Sequence, residues 1–137
     1  MDPRIDIWNA LHDGEITVAV VADDVLTMFV NIPYLRARLL PLGDSFVLRL
    51  LGFRSFALSN LDGKVESTNL ADLSQGGYEI LSTESERLPV IVQLTMGSMS
   101  LDFDSLEVAL DTGRVLDYQE VWQASKDYWD EWEGRRR

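Results

Sequence analysis

The chain has 137 residues, 46% of them hydrophobic and 26% charged, with no cysteine and a formal charge of -11. This length suits one domain, since domains peak near ~100–150 residues, and the composition excludes intrinsic disorder, while the lack of cysteine excludes disulfides, thiolate metal sites and cysteine nucleophiles. The excess of 23 acidic over 12 basic residues repels phosphate backbones and anionic lipid, so neither nucleic acid nor a membrane is an expected partner.

The opening Met1-Asp2-Pro3-Arg4-Ile5-Asp6 is too acidic and polar to begin a signal peptide, and no apolar run approaches the ~20 residues that span a bilayer. A cytoplasmic location is the expectation. Ile5, Trp8 and Leu11 recur at three-residue spacing and predict a short amphipathic helix, with Pro3 in its first turn and His12-Asp13-Gly14 as its stop. From Ile16 to Ile32 the residues are mostly β-branched or large and apolar, broken by Asp23-Asp24, which predicts two strands joined by a tight turn. Both faces of that pair are apolar, so it is expected to be covered on both sides. Pro33 and Pro41 bracket a loop or single helical turn that carries Arg36 and Arg38, both expected to be exposed.

Strands are predicted at 46–51 and 53–58, and Asp62-Gly63 reads as a type I′ hairpin turn returning into 65–68. Asn69 caps at most one helical turn before Gly76-Gly77. Strands follow at 78–82 and 90–96, where Val90, Val92, Leu94 and Met96 alternate with Ile91, Gln93 and Thr95, and Gly97-Ser98 is expected to turn the chain into 100–103. Leu101 and Phe103 are odd-numbered, whereas Leu106, Val108 and Leu110 are even. A period of two cannot change phase without a break, which falls at Asp104-Ser105.

The last element is the clearest helix. Asp117 and Glu120 form a capping box, and Tyr118, Val121, Trp122, Ser125, Tyr128, Trp129 and Trp132 share one face at helical spacing. That aromatic stripe is expected to lie on the sheet as the main core-forming contact. Arg135, Arg136 and Arg137 place positive charge at the negative end of the helix dipole. The fold class is therefore α+β: one domain over residues 1–137, with a bent, mostly antiparallel sheet of about eight or nine strands, a short N-terminal helix and a C-terminal helix packed on the sheet. A closed barrel or β-sandwich is the alternative.

Few residues combine into catalytic chemistry. His12 is the single histidine, and its place between helix and strand suits a structural role with the ring bonded to backbone. Gly43-Asp44-Ser45-Phe46-Val47 lacks the final glycine of a serine nucleophile elbow, and Gly76-Gly77 is followed by a strand rather than by a lysine and a helix. Asp102, Asp104, Glu107 and Asp111 fail the EF-hand pattern, because Leu106 takes the fifth position and Glu107 the sixth. No catalytic residue, cofactor or metal is assigned.

Trp8-Asn9-Ala10-Leu11-His12-Asp13-Gly14-Glu15-Ile16 resembles the opening of small bacterial domains of uncharacterised function, some of them grouped with the immunity proteins of polymorphic toxin systems. The similarity covers about the first thirty residues and carries no functional residues with it. It implies a small cytosolic protein that acts by binding another protein. Charge asymmetry points the same way: residues 61–134 hold sixteen acidic and four basic residues, against seven and five in residues 1–60. The expected function is a protein-binding module, an immunity-type inhibitor of a basic partner. The alternative is a ligand-binding domain or small enzyme with a pocket beneath the last helix. His12, Tyr118, Trp122 and Trp129 are the candidate pocket or interface residues, and a homodimer through unpaired strand edges is a further option.

Overall fold

A computed structural model describes Asp2 to Arg135; Arg136 and Arg137, assigned above to the helix dipole, lie outside the described residues. The fold is α+β. In chain order the elements are α1 (Pro3–Ala10), β1 (Glu15–Ala22), β2 (Val25–Asn31), α2 (Pro33–Arg36), β3 (Ser45–Leu51), β4 (Ser55–Ser59), β5 (Val65–Ser67), α3 (Leu70–Gln75), β6 (Ile80–Thr83), β7 (Val90–Leu94), β8 (Gly97–Asp102), β9 (Ser105–Leu110), β10 (Val115–Leu116) and α4 (Tyr118–Arg135). The described strands number ten rather than eight or nine and form two antiparallel five-stranded sheets, ordered β1-β2-β3-β9-β10 and β5-β4-β8-β7-β6. They do not close into a barrel.

The two sheets share a corner. β3 continues into β4 through Gly52-Phe53-Arg54, and β8 into β9 through Phe103-Asp104, so one bent antiparallel pair of chain segments contributes to both sheets. The phase change at Asp104-Ser105 sits at this bend: Leu101 and Phe103 point inward before it, Val108 and Leu110 after it. Backbone bonds cross the bend from Arg54 N to the Asp102 carbonyl and from Asp104 N to the Leu51 carbonyl, both at 2.8 Å. Arg54 reinforces it through the carboxylates of Asp102 (3.0 Å) and Asp104. Asp104 is exposed and Asp102 half-buried, both on the outward side as the alternation predicts, but they hold an arginine rather than facing open water.

Opposite the corner, Asp13 N reaches the Ile80 carbonyl and Ile80 N the Gly14 carbonyl, both at 2.8 Å, which joins the start of β1 to the start of β6. α1 lies against β6, β9 and α4. Ile5, Trp8 and Leu11 are buried as predicted, and the buried face widens to include Ile7 and Ala10, leaving Pro3 and Asn9 exposed. Asp2 caps it by accepting from Arg4 N at 3.0 Å, and Arg4 Nη1 donates to the Asp104 carbonyl at the corner.

Turn chemistry differs from expectation at two hairpins. Positive φ occurs at both Asp23 and Asp24, so the type I′ pattern belongs to the β1-β2 hairpin. At Asn60–Lys64 only Gly63 has positive φ, and the Asn60 side chain accepts from Asp62 N and Lys64 N, each at 3.0 Å. In the β7-β8 hairpin Leu94 pairs with Gly97, so Thr95-Met96 is the turn and Met96 is exposed. Gly97 begins β8 with φ 151, and a Cβ there would stand 2.0 Å from the Ser59 carbonyl oxygen, a contact no other residue could take. α3 is a six-residue helix rather than a single turn, capped by Asn69 at 3.0 Å from Ala71 N.

Arg36 is the largest departure from the sequence reading. It is fully buried, not exposed, and lies against Asp111 at 2.8 Å. No described helix is long and apolar enough to cross a membrane.

Candidate functional site

α4 starts as predicted: Asp117 Oδ1 accepts from Gln119 N at 3.1 Å, and Glu120 Oε1 accepts from Asp117 N at 3.2 Å. Its packing is different. Val121, Ala124 and Ser125 are its buried residues, and it reaches the sheets by way of α1 and α2. The aromatic stripe is therefore not the main core contact. Tyr118, Trp122, Tyr128 and Trp129 are half-buried and Trp132 is 39% exposed, whereas Trp8 is the fully buried tryptophan.

The reason lies in what meets the stripe. Short polar-ended elements, α2 and the His12 turn, stand under the second half of α4, and their aromatic rings interleave with it. Tyr34 and Tyr128 lie 4.2 Å apart between ring centres, Tyr128 and Trp129 meet edge to face at 5.1 Å, and Trp129 and Trp132 do so at 5.6 Å. Trp129 also lies 5.7 Å from His12 and 5.9 Å from Tyr34. The Arg38 guanidinium sits 5.5 Å from the Tyr128 ring centre and pairs with Glu131 one turn further along α4.

His12 has the structural role expected of it. Its Nδ1 lies 2.6 Å from the Leu81 carbonyl, which can only accept, so Nδ1 carries the proton and fixes the ring against β6. Nε2 faces the Asp13 carboxylate at 3.3 Å. The Tyr34 hydroxyl donates to the His12 carbonyl, which binds α2 to this turn. Burial of the Tyr34 phenol, with the Asp13 charge beside it, raises its pKa above the ordinary tyrosine value.

The four candidate residues separate into two places. His12 and Trp129 belong to the aromatic cluster. Tyr118 and Trp122 line a cleft of about 380 Å³ between α1 and α4, together with Asp6, Asn9, Ser125 and Lys126. His12 does not line that cleft. Several polar groups there are already engaged: Asn9 exchanges bonds with Thr83 N (2.9 Å) and the Thr83 carbonyl (3.3 Å), and Lys126 pairs with Asp130 at 2.7 Å. The Tyr118 hydroxyl is buried without a hydrogen-bond partner among the described residues. Burial, aided by the Asp6 charge, pushes its pKa up to about 12.

Two features were not foreseen. Sequence spacing gives no sign that Tyr34 completes the cluster, since a tyrosine between prolines reads as loop. Nor does it show that Arg36 is buried against the partly exposed carboxylate of Asp111, seventy-five residues away. Among the described residues no group of three or more histidines and carboxylates is placed to hold a metal ion. Comparison with protein-family models, curated proteins and solved structures gives no match.

Proposed function

We propose that this chain is a protein-binding module, in the manner of an immunity-type inhibitor, and that it receives a basic partner protein on the aromatic cluster of α2 and α4. The observation that carries this reading is the packing of Tyr34, Tyr128, Trp129 and Trp132 into a half-buried surface cluster flanked by Asp13, Asp127 and Glu131. Tryptophan, tyrosine and arginine dominate interface energetics when held rigidly, and this cluster is held by its own ring contacts and by Arg38. Surrounding carboxylates would speed the approach of a cationic protein and make the association rate fall with salt.

Affinity capture from the native cell, run in parallel with wild type and a Trp129→Ala/Trp132→Ala variant, tests this. Wild type should retain a basic protein at low salt, more weakly at high salt, and the variant should lose it, since removal of one hot spot costs about 2 kcal/mol or more, roughly thirtyfold in Kd. Equal capture by both proteins, or no basic protein on either, refutes the proposal.

The cleft between α1 and α4 supports a second reading, a site for a small polar ligand lined by Asp6, Asn9, Tyr118 and Trp122. Its volume of about 380 Å³ falls within the usual range for small-molecule pockets. A buried hydroxyl without a partner costs stability, so Tyr118→Phe should raise the midpoint of thermal unfolding, by about 1 kcal/mol or more in free energy. A lower midpoint would mean that the hydroxyl has a structural partner.

A further inference from the structure

The outer face of the β1-β2-β3-β9-β10 sheet is apolar, yet it takes no part in the core. Strand register sets Val18, Phe29, Val47, Ala109 and Val115 side by side across all five strands. Ala109 is buried, but Val18, Phe29, Val47 and Val115 stand outside the hydrophobic core, which holds the alternate residues Met28, Leu48 and Val108 together with Trp8 of α1, Leu35 of α2 and Leu73 of α3. The helices thus cover the inner side. Val20 and Val115 are 56% and 60% exposed on this outer face.

The next row toward the Asp23-Asp24 turn runs Val20, Thr27, Arg49, Glu107, and the row after it includes Val25 and Leu51. In these three rows the charges are Arg49 and Glu107, paired at 3.4 Å, so the patch is neutral on a chain of charge -11. We infer that this face is a homodimer interface in which a second copy of the chain packs sheet against sheet about a two-fold axis.

A two-fold interface must be complementary to itself, and a face with one cation and one anion side by side meets that condition: Arg49 of each copy faces Glu107 of the other. Sheets with the same twist also pack face to face without adjustment. Four strands of six to eight residues, with the two-residue β10 beside them, give a footprint of about 20 by 20 Å. That is small against the ~800 Å² per partner of a standard interface, so the dimer is reversible rather than obligate.

Sedimentation of the full chain across a concentration series from low micromolar to millimolar tests this. The average mass should climb from 15.5 kDa toward twice that value. Val47→Lys should hold the chain at the monomer mass. Arg49→Glu and Glu107→Arg should each weaken association by about tenfold or more, and the double exchange should restore it. Both charged residues are exposed enough for these changes to spare the fold, and a thermal melt of each variant checks that. A monomer mass at every concentration overturns the inference, as does association that Val47→Lys leaves intact. The aromatic cluster lies on other elements, so neither result bears on the proposed partner site.

Discussion

Replacing Asp111 with alanine should cost about 3–5 kcal/mol of folding stability, read from the midpoint of urea unfolding. The reason is the charge it would strand. Arg36 is fully buried, with Nη2 donating to Asp111 Oδ1 at 2.8 Å, Nη1 to the Leu39 carbonyl at 3.0 Å and Nε to the Ser45 carbonyl at 3.1 Å. Asp111 Oδ2 accepts from the backbone of Asp44 (2.9 Å) and Ser45 (3.1 Å), so one carboxylate anchors both the arginine and the entry to β3. Gly43 passes so close that a Cβ would stand 2.2 Å from Asp111 Oδ1. Arg36→Met should cost less, because the Asp111 side chain is 22% exposed and would keep its two backbone donors and some water.

The same pair sets a pH dependence. Burial alone would push the Asp111 carboxyl up, but the Asp44 amide, the Arg36 guanidinium and the Ser45 amide outweigh it and hold the pKa below the ordinary aspartate value. A depressed pKa in the folded state adds stability that is complete above the unfolded aspartate value near ~3.9 and is lost as pH falls through the lower folded value. The gap between wild type and Asp111→Ala should therefore stay constant through neutral pH and narrow in acid below about pH 4. An Asp111→Ala cost under ~1 kcal/mol, or a gap that does not narrow in acid, would contradict this account.

Most local chemistry was legible from sequence, apart from the turns at Asp62-Gly63 and Gly97-Ser98, and distant pairing was not. The Asp117-Glu120 capping box, the Asn69 cap, the Asp23-Asp24 turn and the phase break at Asp104-Ser105 all depend on residues within a few positions of one another, and all occur as read. Arg36 failed because a charged residue between prolines ordinarily faces water, and only its partner seventy-five residues away makes burial tolerable. The apolar character of both faces of β1 and β2 was legible too, but not its meaning. Periodicity cannot distinguish a face covered by a helix from one left at the surface, where Val18, Phe29 and Val47 stand.

The candidate site was legible in its residues and not in its arrangement. Helical spacing placed Tyr118, Trp122 and Trp129 on one face, yet a stripe twelve residues long passes over more than one neighbour. The first turns of α4 meet α1 and form the cleft, and the later turns meet α2 and form the cluster. One face thus serves two surfaces, and the aromatic rings that suggested a core helix stand half in water.

The tryptophan that does carry the core lies at the other end of the chain, and Trp8→Ala should cost about 3–5 kcal/mol. Its side chain is fully buried, and its Nε1 donates to the Arg4 carbonyl at 3.0 Å within α1. Truncation would open a cavity beneath a helix that touches β6, β9 and α4 at once, and Ile5, Ile7 and Leu11, themselves buried on the same short helix, are not free to refill it. Trp129→Ala supplies the contrast, since a half-buried ring gives up less area and leaves its space open to water, so its cost should be less than half that of Trp8→Ala. Matched urea titrations of the two variants measure this order directly. Should Trp129→Ala prove the more destabilising, the weight of the core would lie under α4 after all, and the cluster proposed to meet a partner would be part of the foundation of the fold.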